Sequence, residues 1–190
     1  VGLAESAIAE SKYEKGEDIS VRLLDLVQRM GEIRNNGTPE MEFAITALLA
    51  RSQTTSGRAG DAKRTLLALR QRFKETGQNR YLDNLDALLC RLDLRLGNLD
   101  AADTWYLKKA PKDPLHFDAL KRYQYLTQAV VELVAGQTKN VFLTLAPMDG
   151  YCKACGRHLD KISTDLLRAM ALYREQDERW HEYLKTALTE

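Results

Sequence analysis

The sequence has little of what usually marks a specialised chain. Proline occurs only four times in 190 residues. Apolar runs stop after a few positions, as at Ala129-Val130-Val131. A membrane-spanning helix needs about 20 consecutive apolar residues, so none is expected. Glu5, Glu10, Lys12 and Glu14 break up the start of the chain, and a secretory leader is not expected there. Charge of one sign is also missing: 28 basic against 27 acidic side chains leave a net charge of +1. Nucleic-acid surfaces carry a marked basic excess, so binding of DNA or RNA through this segment is not expected. Cysteine is scarce and odd in number, with only Cys90, Cys152 and Cys155. That pattern implies reduced thiols and a cytoplasmic setting. The chain starts at Val1 and ends at Glu190 within a helix-forming run, as expected of a piece of a larger protein.

What remains is ordinary in amount and regular in pattern. Hydrophobic residues make up 44% and charged residues 29%, which fits a folded chain and not a disordered one. A chain of this length buries roughly 70% of its unfolded surface and needs no disulfide or metal to hold it. The abundant residues are Ala, Leu, Arg, Lys, Glu and Gln, all good helix formers. Tyr81, Leu82, Leu85, Leu88, Leu89, Leu92 and Leu96 recur at three- and four-residue steps. So do Leu159, Ile162, Leu166, Leu167, Met170 and Tyr173. That spacing lays apolar side chains along one helix face. No stretch alternates as a strand does, and the fold class is all-α.

The most informative feature is an internal repeat. Breaks fall at Gly16, Gly57, Gly97, Gly136 and Gln176, at intervals of 41, 40, 39 and 40 residues. Five residues after the breaks stand Val21, Ala62, Ala102, Val141 and His181. Glycine ends a helix in the left-handed conformation at no Cβ cost. A small residue five positions on then lets the second helix pack closely. Wider junctions lie at Asn35–Pro39, Thr76–Asn79 and Ala110–Pro114, with a weaker one near Cys155-Gly156. Thr38-Pro39 reads as an N-cap followed by proline at the first helical position. The units are helical hairpins at about 1–34, 38–76, 79–110, 115–155 and 157–190. No hairpin buries its apolar faces alone. The expectation is therefore one domain over 1–190, a solenoid of about five stacked antiparallel hairpins forming a right-handed superhelix.

Leu94-Arg95-Leu96-Gly97-Asn98-Leu99-Asp100-Ala101-Ala102, followed by Trp105, resembles the Leu-x-x-Gly-x-Leu-x-x-Ala break of the tetratricopeptide-like region of LuxR-family ATP-dependent transcriptional regulators. The resemblance is to the class that includes the activator of maltose genes. Arg122–Ala129 through Leu133-Val134-Ala135-Gly136 is similar to that family's Tyr-Leu-Thr-x-Ala helix ending in Gly. Gly156-Arg157-His158, with Ile162, Leu166-Leu167, Ala169 and Ala171-Leu172, resembles its Gly-Arg segment and the next helix. The match spans about residues 40–190, and Gln176 and His181 depart from its Gly and Ala. The nucleotide loop Gly-x-x-x-x-Gly-Lys-Ser/Thr does not occur here. No length remains after the fifth hairpin for a helix-turn-helix module. The resemblance thus implies the central sensor region alone, its inducer or partner protein bound in a concave groove.

Chemical motifs are weak by comparison. Cys152-Lys-Ala-Cys155 with His158 offers three zinc ligands or a redox pair, but a closed zinc site needs four. Cysteines three apart on a helix also serve as small packing residues, and Cys90 among Leu88, Leu89 and Leu92 reads as core. His116, His158 and His181 fall in different units, and Asp83 and Asp86 read as a solvated face. No catalytic, metal or cofactor-binding set converges, so no enzyme activity is expected. Trp105, Tyr106, Tyr123 and Tyr125 read as inter-hairpin filling, or as rings for stacking a sugar or peptide, and Trp180 reads as core or cap of the last hairpin.

First helices line the concave surface of such solenoids. In the third unit Asn84, Arg91 and Arg95 share one stripe, and in the fourth Lys121, Gln124, Gln128 and Glu132 share another. Arg91 and Arg95 carry the forked donors that hold a carboxylate or phosphate. These residues are the expected contacts for an inducer or partner. The alternative function is a free-standing tetratricopeptide adaptor that binds peptides and has no part in transcription.

Overall fold

The computed structural model describes residues 38–111 and 117–189, together with Arg22, Asp25 and Arg29. Helices form where the helix formers and apolar periodicity place them. They are α1 (Pro39–Thr55), α2 (Ala59–Glu75), α3 (Leu82–Arg95), α4 (Leu99–Lys109), α5 (Arg122–Val134), α6 (Thr138–Cys155), α7 (His158–Arg174) and α8 (Trp180–Thr189). Single 3₁₀ turns at Asn79–Tyr81 and Ala119–Lys121 lead into α3 and α5. The described residues are helical with no strand among them, an all-α architecture. Thr38 caps α1 as its sequence suggests, its hydroxyl accepting from Met41 N–H at 3.4 Å with Pro39 opening the helix.

The four breaks within the described residues share one backbone geometry. Gly57, Gly97 and Gly136 have φ of 76°, 76° and 73°, and Gln176 has φ of 57°. The N–H after each break donates to the carbonyl five residues back. Arg58 donates to Gln53 at 2.7 Å, Asn98 to Asp93 at 2.9 Å, Gln137 to Glu132 at 2.8 Å and Asp177 to Leu172 at 3.0 Å. This Schellman closure satisfies carbonyls that the helix end leaves open. Gln176 has a Cβ in the left-handed region, at a cost of roughly 1–2 kcal/mol. Five positions on, Ala62, Ala102 and Val141 are fully buried, whereas His181 is exposed. Gly16, Val21 and most of the first expected hairpin lie outside the described residues.

The chain packs as two compact units, Val1–Leu92 and Asp93–Glu190. In the first, the α1–α2 hairpin and α3 bury Ala50, Ala62, Leu66, Leu69, Phe73, Leu85 and Leu89. Tyr81 sits against Phe73 and Phe43, with centroid distances of 5.3 and 5.7 Å. Arg70 pairs with Asp86 at 2.6 Å, tying α2 to α3.

In the second unit α5, α6 and α7 enclose Tyr125, Leu126, Ala129, Leu133, Val141, Leu145, Met148, Cys152, Leu167 and Ala171. Leu145 and Met148 are 0% exposed. Pro147 lies inside α6, where it supplies no backbone donor, and the helix runs on to Cys155. Arg174 at the end of α7 donates to the Leu133 carbonyl at the end of α5, placing a cation on a negative helix terminus. Among the described residues of the last helix Ala187 is buried, and the half-buried Tyr183 meets Phe142 edge-on at 5.7 Å.

Candidate functional site: a three-helix cleft in the C-terminal unit

A cleft of about 1140 Å³ is walled by α6 and α8 and floored by α7. From α6 come Phe142, Leu143, Ala146 and Asp149, and from α7 come Lys161, Arg168 and Leu172. Arg179, Tyr183 and Thr186 close the far side. Steps of three and four along α6 bring Phe142, Ala146 and Asp149 onto one face.

Arg168 organises the floor. It is 5% exposed, and its two terminal nitrogens donate to the two Asp149 carboxylate oxygens at 2.8 Å each. Its Nη1 also lies 3.6 Å from Asp165, which is 0% exposed and bonded to Lys161. The guanidinium carbon stands 5.8 Å from the Phe142 centroid and 5.9 Å from that of Tyr183. A planar guanidinium fits a carboxylate fork and ring faces at once, which an ammonium does not. On the rim, Arg179 forks Asp177, which also accepts from Arg179 N–H; together they hold the Asp177 carboxyl at about 2.

Most of the cleft's cations are therefore engaged inside the protein: Arg168 with Asp149 and Asp165, Lys161 with Asp165, and Arg179 with Asp177. What the cleft offers a visitor is chiefly Phe142, Leu143, Ala146, Leu172 and Tyr183, edged by charge. Apolar walls over a floor whose charges are already paired suit an amphipathic segment better than a small anion.

A second, smaller pocket of about 190 Å³ lies between α4, α5 and α6, lined by Tyr106, Pro111, Tyr125, Gln128, Glu132, Asn140, Leu143 and Thr144. Here Glu132 is 2% exposed and collects donors from Tyr106, Gln128 and Thr144 on one oxygen. Burial pushes its carboxyl pKa up, partly opposed by those three hydrogen bonds.

The residues expected from the sequence are distributed as follows. Gln128 and Glu132 come together in the small pocket. Gln124 is buried, and Lys121 is exposed with its ammonium 3.8 Å from Asp118, so neither lines the cleft or the pocket. Asn84 and Arg91 are half-buried on α3, and Arg95, at the end of that helix, is exposed. Trp105 and Tyr125 are buried, Tyr106 holds Glu132, and Trp180 meets Tyr173 edge-on at 5.4 Å. Cys152 is in the core and Cys155 is exposed, while Cys90 is buried. No cluster of three or more metal-ligating side chains occurs among the described residues. No described helix is long and apolar enough to cross a membrane.

Sequence reasoning alone passed over Arg168, Asp149, Phe142 and Tyr183. The repeat held the signal: Arg168 stands 40 residues after Gln128, and both lie eight before their turns, at Gly136 and Gln176. Each thus floors the gap between the second helices of neighbouring hairpins. Comparison with protein-family models, with curated proteins and with solved structures finds no match.

Proposed function

We propose that this chain is the helical-repeat sensor region of a LuxR-family ATP-dependent transcriptional regulator of the maltose-activator type. In this reading about five hairpins stack as a right-handed solenoid, and an inducer or regulatory protein binds it. Binding shifts the packing of ATPase and DNA-binding modules that lie outside this sequence, which couples the sites through differential stabilisation of two arrangements. The observation that carries the reading is the recurrence of left-handed, Schellman-closed turns, about one repeat apart at Gly57, Gly97, Gly136 and Gln176 and again between those positions at Gly77 and Gly156. Such recurrence supports stacked hairpins, and stacked hairpins work as binding surfaces. The test is the parent gene. A Gly-x-x-x-x-Gly-Lys-Ser/Thr loop upstream and a helix-turn-helix module downstream are expected, and a reading frame with neither overturns the proposal.

A second reading is a tetratricopeptide-type adaptor for polypeptides with no part in transcription. The cleft favours it: with Arg168, Lys161 and Arg179 already engaged, the surface left suits an amphipathic helix or peptide. The same gene sequence separates the two.

A further inference from the structure

Glu132 takes all its hydrogen bonds on one oxygen. Tyr106 Oη at 3.2 Å, Gln128 Nε2 at 2.9 Å and Thr144 Oγ1 at 3.0 Å all donate to Oε1. The other oxygen, Oε2, is buried and accepts nothing from the protein, and the same holds for Gln128 Oε1. Leaving a buried acceptor without a donor is costly, and more so when it is charged. Two such oxygens on neighbouring side chains of one pocket call for a common donor.

No hydrogen bond from the protein reaches either oxygen. The Tyr106, Gln128 and Thr144 donors already serve Glu132 Oε1, and Asn140 Nδ2 donates to Gln137 Oε1 at 2.9 Å. Among the described lining residues there is no lysine, arginine or histidine. Tyr106 and Tyr125 add two aromatic rings, which attract cations. The pocket, about 190 Å³, has room for about six waters at the ~30 Å³ each fills in the liquid. Its open chemistry is therefore acceptors, rings and one carboxylate, enclosed in a space suited to a small molecule.

We propose that this pocket binds a small organic ammonium, whose N–H groups reach Glu132 Oε2 and Gln128 Oε1 and whose charge rests against the tyrosine rings. Burial favours the protonated form of Glu132, so binding would release that proton to solvent and leave a carboxylate to pair with the cation, while Pro111 and Leu143 would cover a short alkyl tail. This site stands apart from the transcriptional reading, because every residue it uses lies within one unit and no ATPase or DNA-binding part is invoked.

The test titrates the 190-residue chain with n-butylammonium, following the Gln128 side-chain amide by NMR alongside calorimetry. Tetramethylammonium, a cation without N–H, and n-butyrate, of opposite charge, are the comparison probes. Saturable binding of n-butylammonium is expected, at least about tenfold tighter than either comparison probe. Glu132→Gln is expected to weaken it about tenfold or more, with folding checked by thermal melting. Gln128→Met, which removes the second acceptor and keeps the shape, gives an independent reading if the first variant does not fold. Absence of saturable binding overturns the proposal, as does equal binding of tetramethylammonium, preference for butyrate, or unchanged affinity in the folded variants.

Discussion

Arg168 and Asp149 face each other fork to fork, two N–H···O bonds of 2.8 Å joining α7 to α6 across the floor of the cleft. The arginine is 5% exposed, whereas the Asp149 side chain keeps 45% of its surface. The pair is thus buried at one end and wet at the other. Behind it lies Asp165, fully enclosed, leaning on the same guanidinium and on Lys161. Removing the arginine would leave that enclosed carboxylate with Lys161 alone.

Arg168→Ala is therefore expected to destabilise the C-terminal unit by about 3 kcal/mol, near the lower end for breaking a buried pair because Asp149 remains solvated. Arg168→Lys should recover only part, since an ammonium cannot fork the carboxylate. Met170→Glu, two residues on but 55% exposed, should change stability by less than about 0.5 kcal/mol. Urea denaturation of the three variants measures this. Equal losses for Arg168→Ala and Met170→Glu would refute the assigned burial.

The turns make opposite predictions at two positions. Gly97 has φ of 76° with nothing within 4 Å of where a Cβ would stand, so only backbone strain opposes a side chain. Gly97→Val should cost about 1–3 kcal/mol, a β-branched residue in the left-handed region. Gln176→Gly should gain about 1 kcal/mol by releasing strain already present, less the entropy that glycine loses. Differential scanning calorimetry should show the first variant melting lower and the second higher than the parent. A Gln176→Gly melting point below the parent's would show the strain argument to be wrong.

Glu132 gives a dependence on pH. Burial raises its pKa above the usual 4.5. The folded chain then holds a proton that the unfolded chain has released, so this group favours folding most at low pH. Its contribution fades as pH rises through the raised folded pKa. Glu132→Gln carries no such proton and should gain stability relative to the parent as pH rises from the usual 4.5 through the raised folded pKa. Melting curves of both proteins across that range are the measurement, and a constant difference would contradict the shift.

The cysteines separate by exposure. Burial pushes the Cys152 thiol up, with Asp160 and Asp149 adding to the effect, while Cys155 lies on the surface. Thiolate is the reactive form. Iodoacetamide should therefore modify Cys155 in the native state and reach Cys152 and Cys90 only on unfolding, as read by mass spectrometry of peptides. Rapid native labelling of Cys152 would contradict its place in the core.

Much of this architecture was legible in the residues because helix ends and close packing have local signatures. Gly57, Gly97 and Gly136 announced their turns, Thr38-Pro39 announced the start of α1, and Ala62, Ala102 and Val141 announced the packed side of each second helix. Even Gln176 was placed by period alone, although nothing in its chemistry favours a left-handed backbone. The cavities were harder to read. Lys121, Gln124 and Gln128 occupy one sequence stripe, yet they end up exposed, buried and half-buried, because α5 packs against more than one neighbour. Arg168 and Asp149 are 19 residues apart on different helices, and no single-helix periodicity pairs them.

The grip on α8 has a consequence for the cleft. That helix supplies one wall, through Tyr183 and Thr186, yet sinks only Ala187 into the interior and follows the one turn of the four that lacks glycine. Its amide hydrogens should exchange with solvent sooner than those of α6 opposite, because opening costs least where least is buried. A visitor that bridges both walls would slow that exchange, so occupancy of the cleft would be written in the protection of its outermost helix.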